Sequence, residues 1–126
     1  MSEQAIILFA HGARDPDWAA PFGIIQQQLQ AARPDTQVAL AFQDFMTPTL
    51  EAAVAQAAAR GARRMVLVPL FMAQGGHLKQ DLPLLVDKIR RQHPQLELRV
   101  MPAIGEVPEI LQAIGDWVLR GISAKT

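Results

Sequence analysis

The sequence predicts an α/β fold, a four-stranded parallel sheet with helices on both faces. Four short apolar runs are each followed by a segment with the start signals or the apolar spacing of a helix. Strand–helix alternation with short connections favours right-handed crossovers, which make the strands parallel and place helices on both faces. At 126 residues, half of them apolar, the chain can bury one core, so we expect a single domain spanning residues 1–126.

Each predicted strand is a short run rich in apolar, strand-forming residues. The first run, AIILFA, is continuously apolar and too short for an ordinary helix, which is typical of a strand covered on both faces. The runs QVALAF, RMVLVPLF and LELRVM complete the set. The predicted strands are therefore residues 5–10, 37–42, 64–71 and 96–101.

The first two predicted helices begin at capping residues. Asp15 can cap a helix whose first turn holds Pro16, and this helix is expected to run to about Ala32. Thr47 is expected to cap a second, alanine-rich helix that ends near Gly61.

The last two predicted helices have apolar residues at helical spacing. The third is expected to begin around Asp81 to Pro83, after a loop that contains Gly75 and Gly76, and to end at His93. The fourth is expected over residues 107–119. Its predicted apolar side consists of Ile110, Leu111, Ile114, Trp117 and Val118.

Composition excludes several classes of function. Basic and acidic residues are 12 each, so no overall charge attracts nucleic acid or an anionic membrane. The absence of cysteine excludes disulfides, thiolate metal sites and thiol nucleophiles, and suits a reducing compartment. No apolar run approaches the roughly 20 residues of a membrane span, and no basic segment precedes one at the N-terminus. We expect a cytoplasmic protein.

Three residues with useful chemistry follow the predicted strands. Ligands of open parallel sheets bind beyond the carboxyl ends of the strands, where His11, Asp44 and His77 follow the first, second and third strands. A neutral imidazole is both a common ligand of divalent transition metals and a base near neutral pH. His93 is expected to be solvent-exposed at a helix end. The pair of histidines therefore predicts a metal or proton-transfer site.

Other residues near these histidines suit a large flat anion. Gly75 and Gly76 leave little bulk beside His77, and Arg14 and Lys79 can meet anionic groups. Each has an ordinary alternative, because glycines also serve turns and surface charges are usually only solvated. Asp44 also has an ordinary alternative role, since acidic residues at strand ends often serve as turn or cap residues.

The blocks ILFAHGARDP, AFQDFMTPTL and VPLFMAQGGHLKQDLP together resemble the class II tetrapyrrole chelatases, specifically the short CbiX type of sirohydrochlorin chelatase. The resemblance covers essentially the whole chain, and the paired HGAR and GGHLKQDLP blocks are its most specific part. It implies a chelatase-like fold in which this chain corresponds to one flavodoxin-like half. It also implies insertion of Co²⁺, or of Ni²⁺ or Fe²⁺, into sirohydrochlorin or a precorrin-2 relative, for cobalamin or sirohaem biosynthesis. Short members are implied to be homodimers, whereas longer ones carry two such halves in one chain.

The resemblance also implies roles for individual residues. His11 and His77 become the catalytic pair that contacts the metal, which is a substrate rather than a permanent cofactor. Asp44 stands where many relatives carry Glu in a pattern like FLEL, so its carboxylate reaches one methylene less far. Metal insertion requires loss of two pyrrole protons and of the ion's water ligands. One imidazole can hold the ion while the other, or Asp44, takes a proton.

Two rival functions use the same residues. A strand that ends in His-Gly-x-Arg is also similar to histidine-dependent phosphatases and mutases, but those enzymes place an arginine immediately before the histidine, where this chain has Ala10. The second rival is a metal or tetrapyrrole carrier without catalysis, which would bind stoichiometrically and leave the metal outside the ring. No G-x-G-x-x-G or P-loop pattern is present, which argues against a nucleotide-driven mechanism.

Overall fold

The structure, a computed structural model, describes residues 3–123. The strands are β1 (Gln4–Ala10), β2 (Gln37–Phe42), β3 (Arg64–Pro69) and β4 (Glu97–Val100). The α-helices are α1 (Ala20–Ala32), α2 (Leu50–Ala59), α3 (Gly76–Gln92) and α4 (Pro108–Ser123). Short 3-10 turns, Pro16–Ala19 and Ile104–Glu106, precede α1 and α4.

The four strands form one parallel sheet in the order β2-β1-β3-β4. The predicted α/β fold class is therefore confirmed. β1 and β3 are neighbours although α1, β2 and α2 lie between them in the chain. The strand order thus reverses between β1 and β3, and a ligand crevice is expected beyond their carboxyl ends.

The main hydrophobic core lies between the sheet and the helices α2 and α3. Alternate residues of β1, namely Ala5, Ile7 and Phe9, are almost completely buried in it. The intervening residues point to the other face, where α1 is tied to β2 by a hydrogen bond from Gln26 Nε2 to the Val38 carbonyl, 2.8 Å. The two faces of the sheet are called the α3 side and the α1 side below.

Several predicted boundaries need correction. β3 ends at Pro69 rather than Phe71, because only the Leu70 N–H continues the pairing, donating to the Phe9 carbonyl at 2.8 Å. Thr47 does not cap α2. Thr49 does, since its Oγ1 accepts from the Ala52 N–H at 3.2 Å and the helix begins at Leu50. Asp15 caps the 3-10 turn Pro16–Ala19, since its Oδ1 accepts from the Asp17 N–H at 2.9 Å, but α1 itself begins only at Ala20.

α3 begins at Gly76, five residues before the predicted Asp81. The prediction placed Gly75 and Gly76 in a loop and Pro83 at the helix start, but Leu78 extends the buried stripe of Leu82, Val86 and Ile89 by one turn. Burial of Leu78 thus outweighs the local breaker signals. In consequence, His77 and Lys79 lie in the first turn of a helix rather than in a loop.

α4 covers Pro108–Ser123, four residues longer at its end than predicted, and buries none of its residues. Its apolar residues are open to solvent, with Trp117 65% and Ile122 76% exposed. The predicted apolar side of this helix therefore has no cover among residues 3–123. Within the same range, no helix is both long enough and apolar enough to cross a membrane.

Candidate active site

His11 is the first residue after β1, and the end of β2 fixes its backbone. The Gln43 N–H donates to the Ala10 carbonyl and the Asp44 N–H to the His11 carbonyl, both at 2.9 Å. In the β1–β2 pairing, Ala10 lies opposite Phe42. The two hydrogen bonds continue this pairing beyond the ends of both strands. His11 therefore keeps a strand-like position at the carboxyl edge of the sheet.

The imidazole of His11 lies against the end of β3. Its ring centroid is 4.3 Å from that of Phe71, with the planes at 61°. Phe71 has no exposed surface and also packs edge-to-face on Phe9 at 5.5 Å. The exposed imidazole thus stands on a rigid buried ring at the point where the strand order reverses.

The polar partner of the imidazole is Gln43, whose Oε1 lies 3.1 Å from Nδ1 of His11. Gln43 is not among the candidate site residues that the sequence indicated. The strand register could have identified Gln43. Ala10 pairs with Phe42, so the next residues along the two strands, His11 and Gln43, lie side by side. Alternation along the strands also puts both side chains on the α3 side.

Gly12 is required by the close approach of the two strand ends. Its φ is +87°, and a Cβ at this position would overlap the carbonyl oxygen of Asp44. Only glycine tolerates both conditions without a shift of the backbone. The turn that carries His11 out of β1 is therefore set by this residue.

Asp44 is engaged by its own turn. Its Oδ1 accepts from the Phe45 N–H at 3.0 Å, and its carbonyl accepts from the Met46 N–H at 2.8 Å. Among residues 3–123, no three His, Asp or Glu side chains are grouped closely enough to hold a metal ion together. The structure therefore does not gather His11, His77 and Asp44 into one ligand set, and a catalytic role of Asp44 stays a prediction.

His77 is exposed in the first turn of α3, which is capped by Gly75. Over the described range, its side chain makes no hydrogen bond or ion pair. A Cβ added at Gly75 or Gly76 would meet nothing within 4 Å, so the space beside His77 is open, as expected for a ligand surface. His93 ends α3 as predicted but is half-buried rather than exposed.

The two candidate partners for anionic groups lie in different grooves. The Arg14 guanidinium stands 4.9 Å from the ring centroid of Phe45, in a groove of about 460 Å³ that both residues line. Phe45 is 59% exposed and has a φ of +65°, which is uncommon for a bulky residue and marks local strain. Lys79 lines another groove of about 610 Å³, between α3 and β4.

The sequence matches the family model named CbiX over residues 5–120. The chain belongs to the CbiX family. The resemblance carried by the HGAR and GGHLKQDLP blocks is thereby confirmed.

Individual CbiX relatives match most of the chain. A sirohydrochlorin cobaltochelatase from Saccharolobus islandicus is 29% identical over 94% of this chain and 92% of its own. A solved CbiX protein from Marinobacter aquaeolei VT8, named for cobalamin (vitamin B12) biosynthesis, superposes with a TM-score of 0.81 at 29% identity, covering 95% of this chain and 98% of its own.

A longer structure shares the CbiX fold. The sirohydrochlorin chelatase SirB from Bacillus subtilis subspecies spizizenii, solved in complex with cobalt, has a TM-score of 0.75 at 22% identity. The match covers 92% of this chain but only 49% of SirB. The present chain is thus equivalent in fold to about half of that protein.

In this CbiX chain, the arrangement offers two exposed imidazoles, one directly after β1 and one in the first turn of α3, with open space at the glycines beside His77. Neither imidazole belongs to a cage of ligands within residues 3–123. Such a site suits brief contact with an ion, because a closed tetrahedral set of strong ligands would retain it.

Proposed function

We propose that this chain is a sirohydrochlorin chelatase that inserts Co²⁺ into the tetrapyrrole. The observation that carries the proposal is His11, seated on Phe71 at the reversal of strand order, with its Nδ1 bound by Gln43. Family membership and the names of the relatives, sirohydrochlorin cobaltochelatase, give the substrate and the metal.

The proposed mechanism divides metal insertion between the two histidines. Nε2 of His11 has no hydrogen-bond partner within residues 3–123, so its lone pair is available to the incoming ion or to a pyrrole proton. His77, in the first turn of α3, takes the other task. The metal is a substrate in this scheme, and the protein needs no permanent cofactor. Ni²⁺ and Fe²⁺ are alternative substrates, because imidazole suits all three ions.

The tetrapyrrole is proposed to lie across the carboxyl edge of the sheet. Gly75 and Gly76 leave room for the macrocycle beside His77. Arg14 and Lys79, in the two grooves, are placed to meet peripheral carboxylates on different sides of the ring. The reaction serves cobalamin or sirohaem biosynthesis, in the cytoplasm, where a chain without cysteine is at no disadvantage.

The decisive assay mixes the purified chain with sirohydrochlorin and Co²⁺ without oxygen and follows the absorption change of metallation. We expect a rate well above the uncatalysed one, lost in His11→Ala and His77→Ala but kept in His93→Ala, the matched control at the far end of α3. Stoichiometric binding without faster metallation would instead identify a carrier. Full activity in both folded site variants would refute the assignment of the histidines.

We also propose that the chain works as a homodimer in which α4 is covered by a second copy. Short isolated helices are marginal in water and rely on packing of an apolar face, yet α4 buries no residue of its own. The chain offers a second incompletely covered surface. On the α1 side, Val66 and Val68 are only half-buried, and a cavity of about 630 Å³ is lined by Ile6, Leu29 and Val66. Two copies can cover each other's exposed surfaces, as the resemblance to short chelatases implies.

Size-exclusion chromatography with light scattering tests the dimer. We expect twice the chain mass for the native protein and a monomer for Trp117→Glu. Leu84→Glu on α3 is the matched control, because Leu84 and Trp117 are 66% and 65% exposed. A monomeric native protein, or equal effects of the two changes, would refute the role of α4.

A further inference from the structure

We infer that Gln43 is the positioning residue that holds His11 in the tautomer with its proton on Nδ1. The inference deepens the proposed function and rests on it, since the benefit is an Nε2 lone pair directed to metal or pyrrole. Gln43 would not touch the substrate. It would act through His11.

The first argument is the geometry of the contact. Oε1 of Gln43 is an acceptor and lies 3.1 Å from Nδ1 of His11, so this hydrogen bond forms only in the tautomer whose Nδ1 carries the hydrogen. In a neutral imidazole the other nitrogen, Nε2, then keeps the lone pair. The hydrogen bond on one ring nitrogen thus decides which nitrogen can bind a metal.

The second argument is that the backbone delivers Gln43 to this place. The Gln43 amide donates to the Ala10 carbonyl, and the Asp44 amide donates to the His11 carbonyl. These two bonds hold the backbones of His11 and Gln43 side by side. The pair therefore does not depend on two long side chains finding each other in solvent. Much of the entropic cost of ordering the contact has been met by the sheet.

The third argument is the ring beneath the imidazole. Phe71, fully buried, contacts His11 at 4.3 Å between centroids and blocks one side of it. With Phe71 on one side and Gln43 at Nδ1, the imidazole has a defined orientation although it is exposed. The carboxylate of Asp44, the third candidate residue, does not compete for this position, because it accepts from the Phe45 amide.

The chemistry explains why a neutral partner suits a metal-contacting histidine. An amide oxygen orients the ring without adding negative charge. A carboxylate in the same position would favour the imidazolium form, which has no lone pair for a cation. Gln43 therefore supplies orientation without adding a charge to the site.

The test measures the tautomer directly in the substrate-free protein. Long-range proton–nitrogen correlation NMR near pH 8, with His11 assigned from His11→Ala, is expected to show protonated Nδ1 in the native chain. Gln43→Leu keeps the side-chain bulk but removes the acceptor, and the proton should move to Nε2, the tautomer that histidine favours in water. Gln43→Ala, which removes the acceptor together with most of the side chain, should do the same. Gln28→Leu on the exposed surface of α1 is the control and should change nothing.

Kinetics supply the second readout. For Gln43→Leu, we expect kcat for metallation to fall about 10- to 100-fold, the usual effect of removing a residue that orients a metal ligand, with KM for sirohydrochlorin nearly unchanged. Protonated Nδ1 and full kcat in both Gln43→Leu and Gln43→Ala would overturn the inference. An inactive native protein that still shows the tautomer change would instead refute the proposed function, so the two failures are distinguishable.

Discussion

Gly12→Ala should weaken the protein and displace His11. The backbone at Gly12 has a φ of +87°, where an L residue costs roughly 1–2 kcal/mol. The new Cβ would overlap the Asp44 carbonyl, so the strand ends must separate. Loss of the Asp44 N–H to His11 carbonyl bond adds about 0.5–1.5 kcal/mol. We expect a total destabilisation of about 1.5–3.5 kcal/mol, which leaves a domain of ordinary stability folded.

Gly23→Ala is the matched control for this substitution. Gly23 lies inside α1, and a Cβ there would meet nothing within 4 Å. The same added methyl group should therefore stabilise the chain by roughly 0.5–1 kcal/mol, because alanine is the better helix former.

Urea unfolding and the metallation assay test the two variants, Gly12→Ala and Gly23→Ala. We expect the unfolding midpoint to fall for Gly12→Ala and to rise for Gly23→Ala. Chelatase activity of folded Gly12→Ala should drop on the order of 100-fold, because small misplacements of a catalytic group cost that much. Equal midpoint shifts, or native activity in Gly12→Ala, would show that the close approach at Asp44 does not set the position of His11.

Two further predictions concern the same site. Gly105→Ala should reduce activity and lower the urea midpoint, because its Cβ would overlap the carbonyl of Met72. Met72 follows Phe71, the ring on which His11 packs. A variant with unchanged activity and midpoint would refute this link between Gly105 and His11. Arg14→Gln should raise KM for sirohydrochlorin several-fold at constant kcat. Arg60→Gln, just after α2, is the control and should leave KM unchanged. Equal KM values for the two variants would show that Arg14 is not part of the binding surface.

The sheet could be predicted from the chain because its signals are local. Each strand is a short apolar run, and alternation with helices leaves parallel pairing as the natural solution. Errors occurred where distant burial outweighed local signals. Burial of Leu78 starts α3 before Asp81, so His77 lies on a helix, and Thr49 rather than Thr47 caps α2.

The sequence by itself determined the family and the fold class, because the motifs carrying them are contiguous. It also selected the two histidines as candidate site residues, because each follows the end of a predicted strand. Only the tertiary structure decided which side chains surround His11. Register places Gln43 beside it, Phe71 beneath it and the Asp44 carboxylate in its own turn. The physical reason is that neighbouring strands pair residues distant in sequence, and a shift of one residue in that pairing reverses which side chains share a face.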